Sequence, residues 1–260
     1  RIESSAASDV YKRQAEHEVE VVFQGESAGY KNTLGYYTVD ASGNIHDVGF
    51  VFENSSRQGS GGSLITGVST ETITVPEGQY VEFFAIADGF RTNGGYDDLA
   101  LESGDLVFLN AAGDAYANIN DASVPQLVFR DDSGEVTELD GHIYHTAGNS
   151  LNPDGINHIE TEDIGVNDTR LSFEDLFNGG DNDFDDIVVD VNIPRIRIQG
   201  TSGSDDIDMQ NLGFNFYDQF IYPARAGEDE IIGSAEQDIM RGHSGDDILY
   251  GCLLYTSDAA

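Results

Sequence analysis

From Glu18 to Val191 apolar residues come in short runs, alternating or continuous, and each run is cut by Gly, Asn, Asp or Pro. Alternation with a period of two over about four to eight residues marks strands with one buried face. The pattern predicts strands over 19–23, 34–39, 48–53, 71–75, 80–87, 106–110, 126–130, 171–173 and 187–193. Turn triplets Ser42-Gly43-Asn44, Pro76-Glu77-Gly78 and Asp132-Ser133-Gly134 fall between them, built of residues that accept turn backbone at little steric cost. Helical periodicity is nearly absent, so the expected fold class is all-β. A stretch of this length can bury one substantial core, and an antiparallel β-sandwich or jelly roll is the economical architecture for a module over 15–194.

After Pro194 the pattern changes to an internal repeat. Three nine-residue units follow without a gap: 224–232 (ARAGEDEII), 233–241 (GSAEQDIMR) and 242–250 (GHSGDDILY). Asp229, Asp238 and Asp247 hold the sixth position, and Ile231, Met240 and Leu249 the eighth. An earlier copy, 200–208 (GTSGSDDID), places Asp205 and Ile207 in the same way. Between the copies, 24 residues separate Gly200 from Ala224, which is not a multiple of nine, so 209–223 is expected to be an inserted loop.

These units resemble the calcium-binding nonapeptides of RTX (hemolysin-type) proteins. The resemblance implies a turn and a short strand per unit, two units per coil, and a short parallel β-roll over 195–251. Residues eighteen apart then stack. Asp229 and Asp247 would share a calcium ion on one edge, Asp238 would lie on the other, and one inter-coil site would be complete. Glycine serves the turns because the backbone there takes positive φ and offers its carbonyls to the ion. Glu236, Ala224 and Arg225 stand where glycines are expected, which reads as the degenerate beginning of an array.

Charge sharpens the picture. The chain carries 12 Lys+Arg against 48 Asp+Glu, a formal net charge of -36. Nucleic acid is excluded as a partner, because phosphate neutralisation needs basic clusters; cations are indicated instead. An acidic surface also keeps an extracellular protein soluble, but solubility alone does not explain why the acids cluster. The only cysteine is Cys252, and no apolar run approaches the roughly 20 residues of a membrane span.

Both ends read as translated sequencing-adaptor DNA. TCAGATGTGTATAAGAGACAG encodes Ser8 through Gln14, and its reverse complement, from the second base, encodes Cys252 through Ser257. Residues 1–14 and 252–260 are therefore set apart as artefact, expected to be disordered, and the natural chain is expected to continue past both ends. Without them the segment has no cysteine, which suits a protein exported unfolded and stabilised outside the cell by metal.

A second constellation runs from Phe173 to Val189, FEDLFNGGDNDFDDIVV, a glycine turn followed by carboxylates at alternate positions and then a strand. An EF-hand reading fails, because Asp186 and Asn192 occupy its glycine and glutamate positions. Converging hard oxygen ligands favour calcium over zinc. The plainer alternative is a solvated acidic hairpin, which like-charge repulsion of about 3 kcal/mol per pair at 5 Å disfavours unless a counter-ion is present.

Together with Leu151-Asn152-Pro153-Asp154-Gly155, His158 and the opening Phe23-Gln24-Gly25-Glu26-Ser27-Ala28-Gly29-Tyr30, this stretch resembles a bacterial family of unknown function found just upstream of RTX repeats in surface adhesins. The resemblance implies calcium held by Asp181, Asp183, Asp185 and Asp186 with Glu174, and a calcium-dependent carbohydrate-binding module. It places Asn152, Asp154 and His158 beside a sugar; a turn-forming Asn-Pro-Asp-Gly with a packing histidine is the competing reading. The loop Arg91-Thr92-Asn93-Gly94-Gly95-Tyr96-Asp97-Asp98 offers Asn93 and Asp97 as further sugar contacts, although loops of that composition are commonly just loops.

Gly25-Glu26-Ser27-Ala28-Gly29 matches the esterase elbow G-x-S-x-G, yet a loop and a strand follow where an elbow needs a helix. The six histidines give no H-E-x-x-H. The expectation is a non-enzymatic module, monomeric within a larger chain, calcium-loaded and without membrane insertion. It would be exported by type I secretion to the cell surface or medium, and its partner would be a cell-surface or matrix glycan. A structural calcium-stabilised spacer and the noncatalytic tail of a secreted hydrolase are the alternatives.

Overall fold

In a computed structural model the described residues are 17–121, 123–165, 168–192, 196–197, 203–208, 220–223, 227–233, 239–241 and 244–250. The two adaptor-like ends and Asp238 lie outside them. Two compact units divide the chain, one over Glu18–Asn192 and one that includes Ile193–Ala260. Strands dominate both, and among the described residues no helix is long and apolar enough to cross a membrane.

The first unit holds β1 (His17–Gly25), β2 (Thr33–Asp40), β3 (Ile45–Phe52), β4 (Thr70–Val75), β5 (Gln79–Ile86), β6 (Gly104–Leu109), β7 (Gln126–Asp131), β8 (Val136–Glu138), β9 (Ile143–His145), β10 (Ile159–Gly165), β11 (Asp168–Phe173) and β12 (Ile187–Asn192). A five-stranded sheet runs β10-β11-β12-β1-β4, and a seven-stranded sheet runs β8-β7-β6-β3-β2-β5-β9. All six pairs of the larger sheet are antiparallel. So are β1 with β12, β10 with β11 and β11 with β12.

Alternation decides which face is buried. Val19, Val21 and Phe23 of β1 are fully buried, as are Ile187, Val189 and Val191 of β12; pairing sets Phe23 opposite Val189 and Val21 opposite Val191. In the larger sheet Tyr37, Phe84, Phe108, Leu127 and Phe129 form the centre of the core. Gly35 is required there, because a Cβ would lie 2.2 Å from the Phe84 ring. Phe23 and Phe52 meet edge to face at 6.1 Å, so the two buried faces touch through aromatic rings.

All nine expected strands are present. The three that apolar patterning did not disclose, β8, β9 and β10, are each the outermost strand of a sheet. β8 and β10 present exposed, charged residues that block further pairing, whereas β9 is buried throughout and is only three residues long, too short to show alternation. Residues 160–164 of β10 are accordingly exposed and rich in carboxylates.

In the second unit β13 (Ile196–Arg197), β15 (Phe220–Pro223) and β17 (Ile239–Arg241) form one three-stranded sheet, and β14 (Asp206–Asp208), β16 (Glu230–Ile232) and β18 (Ile248–Tyr250) another. Every pair is parallel. Ile207 lies opposite Ile231, and Ile231 opposite Leu249, so successive turns of chain advance by 24 and then 18 residues. This corrects the expectation that 209–223 is a loop outside the repeat. Residues 220–223 are a strand paired on both sides, and the longer spacing is one coil with extra residues; 209–219 lie outside the described residues. Parallel pairing needs only that each coil return to the same line, whatever its length.

Candidate metal centre

Residues 174–186 connect β11 to its antiparallel neighbour β12, and six of them are acidic: Glu174, Asp175, Asp181, Asp183, Asp185 and Asp186. The loop closes on itself through a series of left-handed residues, Asn178, Gly179, Gly180, Asn182 and Phe184. Left-handed backbone is unusual for a residue as bulky as phenylalanine and is costly unless the surroundings hold it. At Gly180 a Cβ would fall 2.6 Å from Glu174 Oε1, so the chain can pass over that carboxylate only as glycine.

These bends bring the acids together. Three groups have one carboxylate oxygen per residue, all within 4.8 Å: Glu174, Asp181 and Asp183; Glu174, Asp175 and Asp186; and Asp183, Asp185 and Asp186. Glu174 is fully buried and Asp175 nearly so. Backbone N–H groups satisfy some oxygens, with Leu176 N donating to Glu174 Oε1 at 3.1 Å and Asp175 N to Asp186 Oδ2 at 2.8 Å. Asn32 Nδ2 donates to Asp175 Oδ2 at 2.6 Å from 143 positions away. Glu174 Oε2 is buried with no hydrogen-bond partner. A buried, unpaired carboxylate oxygen is among the most costly groups a fold can carry.

The electrostatics agree. Burial, and then the charge of Glu174, raises Asp175 above the ordinary carboxyl range. Burial, followed by Asp183, raises Asp185. Asp186 is pushed up by burial, and further by the charges of Asp175, Glu174 and Asp183. No described Lys, Arg or His forms an ion pair with any of the six. The all-oxygen donor set suits a hard divalent cation.

Under the loop lies a satisfied polar brace. Asp154 Oδ2 accepts from Asn178 N at 2.8 Å and lies 2.9 Å from His158 Nε2, while His158 Nδ1 faces the Glu174 carbonyl at 2.9 Å. Although burial opposes it, these hydrogen bonds hold the Asp154 carboxyl below its usual range. His158 stacks on Tyr144 with ring centroids 3.6 Å apart. Asn152 is engaged by His145 N and the Ile156 carbonyl, both at 2.8 Å. The three sugar candidates of this turn are therefore brought together, but in the interior, supporting the loop from below. In the other candidate loop, Asn93 bonds the backbone of Asp140 and Gly89, and Asp97 is exposed.

The second unit sets carboxylates in a column. Asp205 N donates to Asp229 Oδ1 at 2.8 Å, and Asp229 N to Asp247 Oδ1 at 3.1 Å. Asp229 is 2% exposed, and its Oδ2 has no hydrogen-bond partner. Gly227 and Gly245 stack in the turns before these residues, where a Cβ on Gly245 would lie 1.5 Å from the Gly227 carbonyl oxygen. One complete interval, Asp229 to Asp247, was expected; the column also contains Asp205, because the 24-residue coil returns to the same edge.

Residues 75–193 match the model of DUF4114, a domain of unknown function. No curated protein and no solved structure matches the chain. The DUF4114 span takes in the whole acidic loop, Asp154 and His158, and stops before the repeats. It leaves out Asn32, which sequence reasoning also missed, since nothing local marks an asparagine whose partner is so distant. Asp175, a member of one of the three carboxylate groups, was missed as well. Its signal was its place beside Glu174 at the end of an apolar strand, where a side chain turns inward.

Around the elbow-like segment, Ser27 N donates to the Asp185 carbonyl at 2.9 Å, and the Glu26 carboxylate accepts from Ala28 N and Arg57 N. This segment continues into β2, and its contacts tie it to the acidic loop.

Proposed function

We propose that the chain is a calcium-binding module of an exported bacterial surface protein, the first unit a β-sandwich and the second the start of an RTX-type β-roll. The observation that carries the calcium reading is Glu174 Oε2, buried and unpartnered among carboxylates with which no described Lys, Arg or His forms an ion pair. The same feature recurs at Asp229. Calcium fits because it takes six to eight oxygen ligands in flexible geometry and tolerates mixed carboxylate and carbonyl sets. Folding of the repeats that waits for millimolar extracellular calcium would keep them unfolded during export and complete them outside. Circular dichroism of the full chain, titrated with calcium and then with chelator, tests this: a reversible gain of β signal is expected, and an unchanged spectrum contradicts it.

A carbohydrate-binding role is the second part of the reading, and it is favoured by a different surface. An open groove of about 720 Å³ lies along β3 and β6 and is lined by Tyr36, His46, Asp47, Asp105 and Tyr116 among others. Those strands pair only at Val48 and Leu106, and β3 carries an extra residue opposite β2 there, with Asp47 in left-handed backbone. Bulges of this kind re-aim side chains beside binding sites. Tyr116 is 62% exposed with Arg130 over its ring, an arrangement that offers an aromatic face to sugar C–H groups and carboxylates to hydroxyls. A glycan array of the full chain, with calcium and with chelator, separates adhesin from spacer. Calcium-dependent signals lost in Tyr116→Ala support the adhesin, and no signal supports the spacer.

A further inference from the structure

The acidic loop has more ligand oxygens than one ion can use, and their arrangement divides them. Glu174 belongs to two groups, one with Asp175 and Asp186 and one with Asp181 and Asp183, and these do not merge into a single cluster within 4.8 Å. Oxygens bound to one calcium at about 2.3–2.6 Å lie at most about 5 Å apart, so sets that do not close together within 4.8 Å divide more readily between two ions than around one. The two sets also differ in setting. Asp175 is 4% exposed and is held by Asn32, whose Oδ1 in turn accepts from Asp88 N at 2.9 Å. Asp181 and Asp183 are exposed at the loop surface.

Glu174 stands between the sets with two distinct oxygens. Oε1 lies against the Gly180 turn and accepts from Leu176 N, while the buried Oε2 has no partner. Charge points the same way, since one divalent ion would leave four of the six acidic charges uncompensated and two would leave two. Resting on the cation reading above, we propose that the loop binds two divalent cations bridged by the Glu174 carboxylate. The inner ion is held by Asp175 and Asp186, and the outer by Asp181 and Asp183. The third group, Asp183 with Asp185 and Asp186, spans both positions and contains no buried unpartnered atom.

The inner position forms on a preset, water-poor scaffold and exchanges slowly; the outer one, at the surface, is weaker and more sensitive to salt. Isothermal titration of calcium into the full chain and its variants tests the proposal, with the repeat sites contributing equally to every isotherm. Relative to the parent, Asp175→Asn and Asp181→Asn should each lose one bound ion, the double variant two, and Glu174→Gln two. Loss of a single ion in both the double variant and Glu174→Gln overturns the two-ion proposal while leaving a one-ion loop. Unchanged stoichiometry in all four variants overturns the loop as a cation site altogether. Should Glu174→Gln not fold, the double variant decides, and Asp181→Asn alone at an exposed position controls for folding.

Discussion

The acidic loop and the aspartate column each bury a carboxylate oxygen without a partner, and they reach that state by opposite routes. In the column Asp229 and Asp247 each accept an N–H from the aspartate one coil earlier, so translation along the repeat builds the site and holds it. In the loop no repeat exists. Left-handed bends gather the acids, a distant asparagine pins one of them, and burial, followed by mutual repulsion, raises Asp175, Asp185 and Asp186.

Removing the cation should have the largest effect. At about 100 times the dissociation constant each site contributes about 2.7 kcal/mol, so chelator should lower the melting temperature by more than about 5 °C. Scanning calorimetry should show both units affected.

Gly245→Ala comes next. Its Cβ would overlap the Gly227 carbonyl, and roughly 3 kcal/mol of local destabilisation is expected. Hydrogen exchange should report loosening of β16 and β18 with the acidic loop unchanged, and Gly180→Ala should give the converse. Equal effects of both variants on both units would erase the distinction drawn above.

A smaller effect is expected of Asn32→Ala. Asp175 Oδ2 then loses its donor, at a cost of about 1–3 kcal/mol. Calcium affinity of the loop should fall, and that of the repeats should not.

The smallest effect is that of pH on the metal-free chain. Asp186 is raised to about 7 from 3.8 by burial and neighbouring acids, so the folded state holds a proton that the unfolded state releases, and stability rises as pH falls through that window. His145, fully buried and lowered to about 3 from 6.5 by that burial, acts in the opposite sense below 6.5. The gain should therefore be clearest between pH 8 and 6.5 in denaturant titrations. Saturating calcium, which favours the ionised carboxylates, should abolish or reverse it.

What could be read in the sequence follows from the same contrast. Interior strands such as β1 and β12 were visible because alternate residues are fully buried, while β8 and β10 are largely exposed and β9, though buried, is only three residues long. The ninefold spacing revealed Asp229 and Asp247. It concealed how Asp205 joins them, because a coil of 24 residues obeys the geometry of the stack and not the period of the text. The loop's acids were visible by composition. Their grouping around Glu174, the service of Asn152, Asp154 and His158 beneath them, and the brace from Asn32 depend on chain crossings that no local pattern encodes.

If buried carboxylates complete their coordination with a divalent ion, Glu174 is the residue whose loss matters most. Calorimetric melting of the full chain against Glu174→Gln, each with millimolar calcium and with chelator, should show a large calcium-induced rise in the parent and a much reduced one in the variant. The same rise in both, or none in the parent, would contradict the account.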